Sequence, residues 1–323
     1  MILVTGGAGF IGSNIVRRLV AEGKSVRVLD NFSTGLRENL DSVSEKVEIL
    51  EGDIRSQPDC ERAVAHCEFV LHQAALPSVP RSIADPLTTH DVNATGTLRM
   101  LHASVNAGVK RFVYASSSSV YGPVPKLPRA EEDRPHPISP YAVSKLTGEQ
   151  YCVAFYRSYG LETVALRYFN VFGPGQRWDS AYSAVIPLFA SAMMSGESVQ
   201  VFGDGEQRRD FTYVDNVVSA NISALTAQHA PGEVFNVGAG RQTSVNRLVE
   251  LVAAEMQIDP TVSYAPPRTG DVRDSLARIT RASDTLGYEV GVHLEEGVSR
   301  TLRWIASERR SSSEAVDEHP RGA

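Results

Sequence analysis

The sequence predicts an α/β fold: a doubly wound parallel sheet with helices on both faces and a smaller, interleaved C-terminal domain. Three observations predict it. Short apolar, β-branched runs recur through the first half, helix-length stretches separate them, and a glycine-rich turn joins the first run to the first helix. Strands separated by helical segments imply a parallel sheet covered on both faces. In order, residues 1–5, 25–29, 47–50, 69–72, 111–115 and 163–167 read as strands, and residues 11–22, 58–65, 92–107 and 140–159 as helices. After Asn170 the rhythm changes. A Gly/Pro turn, Phe172-Gly173-Pro174-Gly175, is followed by a helix near residues 185–195, and a strand at 233–237 is placed to rejoin the sheet. The main domain is thus expected over 1–170 with segments returning near 209–240, and the smaller one over 171–306. The polar, Ser/Glu/Arg-rich stretch 307–323 is expected to be an unstructured tail.

With 323 residues, 42% of them hydrophobic, the chain is large enough for an extensive core or two fused domains. A net charge of −6 gives no support for nucleic-acid or anionic-membrane binding, so an anionic ligand must meet locally placed cations. No apolar run approaches the roughly 18–20 residues that span a bilayer. The first strand begins at Ile2, leaving no room for a signal peptide. Three cysteines, Cys60, Cys67 and Cys152, are odd in number and not spaced as a metal site, which suits reduced thiols in the cytoplasm. No His/Cys/carboxylate grouping suggests a metal, and the eight histidines, His72 and His102 among them, read as structural.

The run Thr5-Gly6-Gly7-Ala8-Gly9-Phe10-Ile11-Gly12 leaves the first strand and opens the first helix. Its spacing is Gly6-x-x-Gly9-x-x-Gly12, and glycines there let the backbone approach a pyrophosphate seated on the helix N-terminus. The second strand leads into Asp30, eighteen residues past Gly12 (30 − 12), near the roughly 20 expected for the carboxylate that holds a ribose 2′-hydroxyl. A carboxylate there repels a 2′-phosphate, so the pattern is that of a Rossmann-type domain for NAD rather than NADP. Asp53, after the third strand, is placed to accept from the adenine amine or to serve as a loop carboxylate.

In Tyr141-Ala142-Val143-Ser144-Lys145, Tyr141 and Lys145 lie at i and i+4 on one helical face. A tyrosine acting as a base near pH 7 needs its pKa lowered by about three units, roughly 4 kcal/mol. A neighbouring ammonium and the positive nicotinamide ring both favour the phenolate. The third member should be a hydroxyl on the substrate's proton path. The run Ser116-Ser117-Ser118-Ser119 ends the fifth strand, at the carboxyl edge where such sheets bind ligands.

The glycine pattern, Asp30, the serine run before Val120-Tyr121-Gly122, and the Tyr141/Lys145 pair together resemble the extended short-chain dehydrogenase/reductase superfamily. The resemblance runs from residue 1 to about 305, and within the superfamily the chain is most similar to UDP-hexose 4-epimerases, particularly a bacterial branch that accepts N-acetylated sugars. It implies Ser117, Tyr141 and Lys145 as catalytic residues, with Ser118 the alternative to Ser117. The implied NAD contacts fall on Gly6, Gly9, Phe10, Ile11, Gly12, Asp30, Asn31, Asp53 and Ile54, on Ala74 and Ala75 of the loop lining the cofactor, on Asn93, the family's structural asparagine, and on Tyr141 and Lys145 themselves. On the substrate side it implies Ser78, Ser117, Tyr141 and Val185, and Asn170 toward the diphosphate or sugar. Arg209 and Arg268 match diphosphate-binding arginines, and Asp271 would take ribose hydroxyls. Ser275 stands where relatives limited to glucose and galactose carry tyrosine. A small residue there leaves room beside the sugar C2, so the resemblance implies inversion at C4 of UDP-GlcNAc/UDP-GalNAc and of UDP-Glc/UDP-Gal through a 4-keto sugar, with NAD bound tightly and regenerated each turnover.

Rival activities on this fold differ at named positions. The 4,6-dehydratases resembling it carry Asp-Glu where this chain has Ser118-Ser119, and UDP-glucuronate decarboxylases usually carry Glu at position 119. UDP-glucuronate 4-epimerases share the serine run but tend to have Thr at position 170. Non-catalytic NAD-sensing proteins commonly lose the tyrosine or lysine that this chain keeps. The resemblance also implies a homodimer, joined by a four-helix interface built from residues 92–107 and 140–159 of each subunit.

Overall fold

The computed structural model describes residues 1–177, 185–267 and 272–317. At its centre lie seven parallel strands: β1 (Ile2–Thr5), β2 (Val26–Asp30), β3 (Val47–Glu51), β4 (Phe69–His72), β5 (Arg111–Ser117), β6 (Glu162–Tyr168) and β7 (Val234–Val237), in the order β7-β6-β5-β4-β1-β2-β3. The helices between them are α1 (Phe10–Ala21), α2 (Gln57–Val64), α3 (Gly96–Asn106) and α4 (Pro140–Tyr159), followed by α5 (Val185–Met194) and α6 (Val214–Ala224).

Alternation along each strand feeds two separate cores. Ile2 and Val4 of β1, Val113 and Ala115 of β5, and Val164 and Leu166 of β6 pack on the side of α1 and α6. Leu3, Phe112, Tyr114 and Ala165 pack on the side of α2, α3 and α4. Each Val, Leu, Ile or Phe side chain so buried contributes about 1.5–3 kcal/mol of transfer free energy. This two-sided burial explains why the strands read as near-continuous apolar runs. The expected sheet is found, with strand boundaries shifted by one or two residues.

Strand order reverses beside β1: the chain runs outward through β2 and β3, then returns to place β4 on β1's other flank. The crevice at the carboxyl ends of β1 and β4 is therefore the expected ligand site. The smaller unit is woven from short pairs, with Val262–Ala265 parallel to Val199–Phe202 and Thr243–Ser244 antiparallel to Arg208–Arg209.

Three local features depart from expectation. The stretch read as one helix over 92–107 opens with a π-helical turn, Asp91–Thr95, continuous with a short helix at Pro86–His90. Between β2 and β3 the chain forms a 3₁₀ helix, Arg37–Lys46. The final helix, α8, with α7 (Val245–Met256) before it, spans Leu294–Asp317 and so runs through the first part of the expected unstructured tail. Composition misled there. Leu294, Val298, Leu302 and Ile305 are buried at helical spacing, which anchors the helix, and Arg309 donates to the Ser191 hydroxyl at 2.7 Å. Glu, Arg and Ala are good helix formers once that anchor exists.

Candidate active site

A cleft of about 830 Å³ opens at the carboxyl edge of the sheet, between it and the smaller unit. Its first wall is the β1–α1 turn. Gly6 has φ +66, and a Cβ there would lie 2.7 Å from the Ala74 nitrogen; a Cβ on Gly12 would lie 2.1 Å from the Gly6 carbonyl. Both positions thus need glycine for close backbone approach. Gly9 is the N-cap of α1 and no side chain caps that helix, which leaves first-turn N–H groups for an anion. Asp30 accepts from the backbone N–H of Ala8 and of Phe32, each at 2.9 Å. Burial raises its pKa and those hydrogen bonds oppose the rise. Asn31 donates to Asp53 at 2.8 Å, and hydrogen bonds from Arg55, against some desolvation, hold the Asp53 carboxyl at about 2. Phe10, Ile11, Asp53, Ile54, Ala74 and Ala75 all line the cleft. The glycine cradle, the uncapped helix start and the carboxylate at the end of β2 fit NAD.

Asn93 is buried away from the cleft wall. Its side chain accepts from the Leu76 N–H at 2.7 Å and donates to the Leu76 carbonyl and the Ser144 hydroxyl, each at 3.1 Å, so it ties the loop after β4 to α4. His72 bridges Thr5 and Thr97 at 2.8 and 3.0 Å; burial, with Lys145 nearby, pushes its pKa down to about 3. It is neutral and structural.

The second wall is the seam of β5 and α4. Ser139 caps α4 by accepting from the Ala142 N–H at 3.2 Å, and Pro140 follows at the first helical position. That cap sets the direction of Tyr141, one turn before Lys145. The Ser117 hydroxyl, at the end of β5, shares the cleft wall with Tyr141 and favours its ionised form. Lys145 Nζ donates to the Ala115 carbonyl at 2.8 Å and lies 6.0 Å from the centroid of the Tyr141 ring. Desolvation raises the Tyr141 phenol, partly countered by Ser117. Desolvation also pushes Lys145 down to about 8, with the charge of Glu149 working against that shift. Serines 117, 118 and 119 all face the cleft, and the Ser119 hydroxyl donates to Ser117 at 2.9 Å.

The third wall comes from the smaller unit. Asn170 follows β6 in a left-handed conformation (φ +27) and accepts from the Ser275 hydroxyl at 3.3 Å. Ser275 in turn accepts from the Asp210 N–H at 3.3 Å. Arg209 lines the cleft and donates to the carbonyls of Arg208 and Arg273. Ser78, also on the wall, caps the short helix Val79–Ala84. Val185 opens α5 but does not line the cleft; it packs at the margin of the core instead. Arg268 and Asp271 lie outside the described residues.

Sequence reasoning missed several residues. Arg81, from the short helix Val79–Ala84, and Arg129, Arg177 and Asp274, from loops, reach the cleft wall at positions that carry no recognisable spacing. Glu149 was readable: it continues the Tyr141/Lys145 spacing by another turn, yet an acid on a helix is ordinarily a surface residue.

A dinucleotide cradle beside a serine, tyrosine and lysine is the site of an NAD-dependent enzyme. Comparison with known proteins agrees. Residues 2–238 match the model of the NAD dependent epimerase/dehydratase family. A UDP-glucose 4-epimerase of Mycolicibacterium smegmatis is 39% identical over 308 residues, covering 94% of this chain and 97% of that protein. Among solved structures, the UDP-glucose 4-epimerase of Thermotoga maritima with UDP-glucose aligns with a TM-score of 0.91 at 41% identity, covering 95% of this chain and 99% of that one. The UDP-N-acetylglucosamine 4-epimerase of Methanobrevibacter ruminantium in complex with UDP-N-acetylmuramic acid also gives 0.91, at 40% identity, covering 95% and 98%. The chain belongs to the NAD-dependent epimerase/dehydratase family, and NAD is its cofactor. Among the described residues no helix is long and apolar enough to cross a membrane, and no group of His, Cys, Asp and Glu could hold a metal ion.

Proposed function

We propose that this enzyme is a UDP-hexose 4-epimerase that inverts C4 of UDP-GlcNAc/UDP-GalNAc and of UDP-Glc/UDP-Gal. The observation that carries the reading is the Ser117–Tyr141–Lys145 seam facing a roomy cleft whose neighbouring positions, Ser118 and Ser119, hold no carboxylic acid. Without an acid and base there, elimination of water has no proton donor or acceptor, which favours inversion at C4 over dehydration. The relatives named for UDP-glucose and UDP-N-acetylglucosamine epimerisation support the same reading.

Tyr141, as phenolate, takes the proton of the sugar 4-hydroxyl, with Ser117 sharing that hydrogen bond. Lys145 supplies the positive charge that a desolvated phenolate needs. NAD, held by the Gly6/Gly9/Gly12 turn and Asp30, would supply the hydride acceptor and donor that inversion at C4 requires. Arg209, with Arg268 as its expected partner, anchors the diphosphate while the 4-keto sugar turns over; Asp271 takes the ribose. Binding strength sits on the nucleotide and the hexose stays free to rotate. Ser275, pinned by Asn170 and Asp210, leaves the volume that an acetamido group at C2 would occupy.

The protein is also proposed to be a cytoplasmic homodimer joined through a four-helix interface of residues 92–107 and 140–159 from each subunit, with the short helices beside α4 at its margin. Val143 on α4 is 47% exposed, and Ile83 and Leu87 on the adjoining short helices are 52% and 82% exposed, an apolar surface suited to a second copy. All three cysteines are free and buried, in keeping with a reducing compartment.

The test is C4 inversion by the purified protein, without added NAD, on UDP-GlcNAc, UDP-Glc and UDP-glucuronate side by side. Turnover of the first two is expected, with Ser275→Tyr losing UDP-GlcNAc and keeping UDP-Glc. Turnover of UDP-glucuronate alone would replace the substrate assignment, and no turnover even with NAD supplied would remove the epimerase reading.

A further inference from the structure

Three successive residues of β5 each meet a side chain from one face of α4, two of them through hydrogen bonds. Tyr141 meets the Ser117 hydroxyl, Lys145 takes the Ala115 carbonyl, and Glu149 accepts from the Ser116 hydroxyl. The first two belong to the proposed chemistry; Glu149 has no part in it so far. Its side chain is fully buried and held by a bidentate pair with Arg167 of β6, Nε to Oε1 at 2.9 Å and Nη2 to Oε2 at 2.7 Å. Arg167 is itself buried and stacks over the Tyr121 ring at 4.7 Å. A buried ion pair stabilises a fold little compared with apolar residues of the same volume. Its presence directly behind the catalytic lysine therefore points to a role beyond packing.

We propose that Glu149 is a positioning residue that acts through Lys145: its buried carboxylate is the counter-charge that keeps the Lys145 ammonium seated on β5 beneath Tyr141. The inference rests on the epimerase reading above. The groups facing this site are Tyr141 and Cys152 on α4, Tyr114 on β5, His72 on β4, Arg167 on β6 and Tyr121 beyond β5. Burial keeps Cys152, Tyr114 and Tyr121 protonated and His72 neutral at physiological pH. Among the described residues the opposing negative charge at Lys145 is thus that of Glu149, and it counters a desolvation that already holds the lysine at about 8. Without it Lys145 gives up its proton at lower pH, and Tyr141 loses its neighbouring cation.

Glu149→Gln keeps the shape and loses the charge. In this variant the alkaline limb of the kcat–pH profile is expected to move down by about one unit, and kcat at pH 8 to fall roughly fivefold. KM for the UDP-sugar and the NAD retained through purification should stay near wild type. A ¹³Cε NMR titration of Lys145, assigned with Lys145→Arg, should show the same downward move independently of turnover. The double variant Glu149→Met/Arg167→Met removes the pair without leaving a lone buried charge. It should remain folded and keep the shifted limb. A wild-type profile in folded Glu149→Gln, or its restoration in the double variant, would reduce the pair to a structural role. A wild-type enzyme that inverts no UDP-sugar would instead remove the underlying reading, and the titration of Lys145 would still decide the electrostatic link.

Discussion

The seam of β5 and α4 and the face formed by Asn170, Arg209 and Ser275 look into the same cleft, yet they are built oppositely. In the seam Ser116, Lys145, Glu149 and Arg167 are all buried, and charge-bearing hydrogen bonds of 2.7–2.9 Å tie two strands to one helix. Across the cleft the Ser275 links to Asn170 and Asp210 are 3.3 Å long, Asn170 is exposed with positive φ, and Arg209 is half-exposed. The difference matches the proposed chemistry. Proton and hydride transfer need atoms held to a fraction of an ångström, whereas a sugar that must present both faces needs a wall that lets it turn.

The largest expected effect is on the rigid side. Tyr141→Phe should lower kcat about 1000-fold with KM within a few-fold, since general acid–base catalysis contributes roughly 10²–10⁴. Steady-state kinetics on UDP-Glc checks it, and a large rise in KM would mean that the tyrosine chiefly binds. Next comes the pH dependence of the same half. His72 titrates at about 3 in the fold against an ordinary 6.5, so the unfolded chain binds the extra proton between those values. Stability from this group is complete above pH 6.5 and is lost as pH falls through that window, by about 3 kcal/mol at pH 4.5. Urea unfolding at pH 7 and 4.5 should show this loss in wild type and little of it in His72→Asn. The smaller effect falls on the looser wall. Arg209→Ala should raise KM roughly 30-fold, from about 2 kcal/mol of charge-assisted hydrogen bonding, with kcat within about threefold. Equal losses of kcat in the Tyr141 and Arg209 variants would break the contrast between the two walls.

Legibility in the sequence follows the same division. β1, β4 and β5 were readable because two-sided burial imposes an apolar run, and the Gly6/Gly9/Gly12 turn because backbone contact admits no side chain. Tyr141 and Lys145 were readable because helical spacing puts them on one face. Val185, read as a substrate contact, packs against the core, and nothing local tells whether a helix start faces a ligand or a core. The π-helical turn at Asp91–Thr95 depends on side chains such as Asn93 reaching Leu76 and Ser144, contacts that only tertiary structure supplies. The helix past Ser307 was hidden by a polar composition whose anchor lies upstream at Leu302 and Ile305.

The late return of β7 to the sheet has a consequence for biosynthesis. β6 ends at Tyr168, and its outer neighbour β7 begins only at Val234. At about 5–20 residues per second, the ribosome needs roughly 3–13 s to make the stretch between them. Through that interval a nascent β6 has no partner on its outer edge, and an unpaired edge is a template for association with other chains.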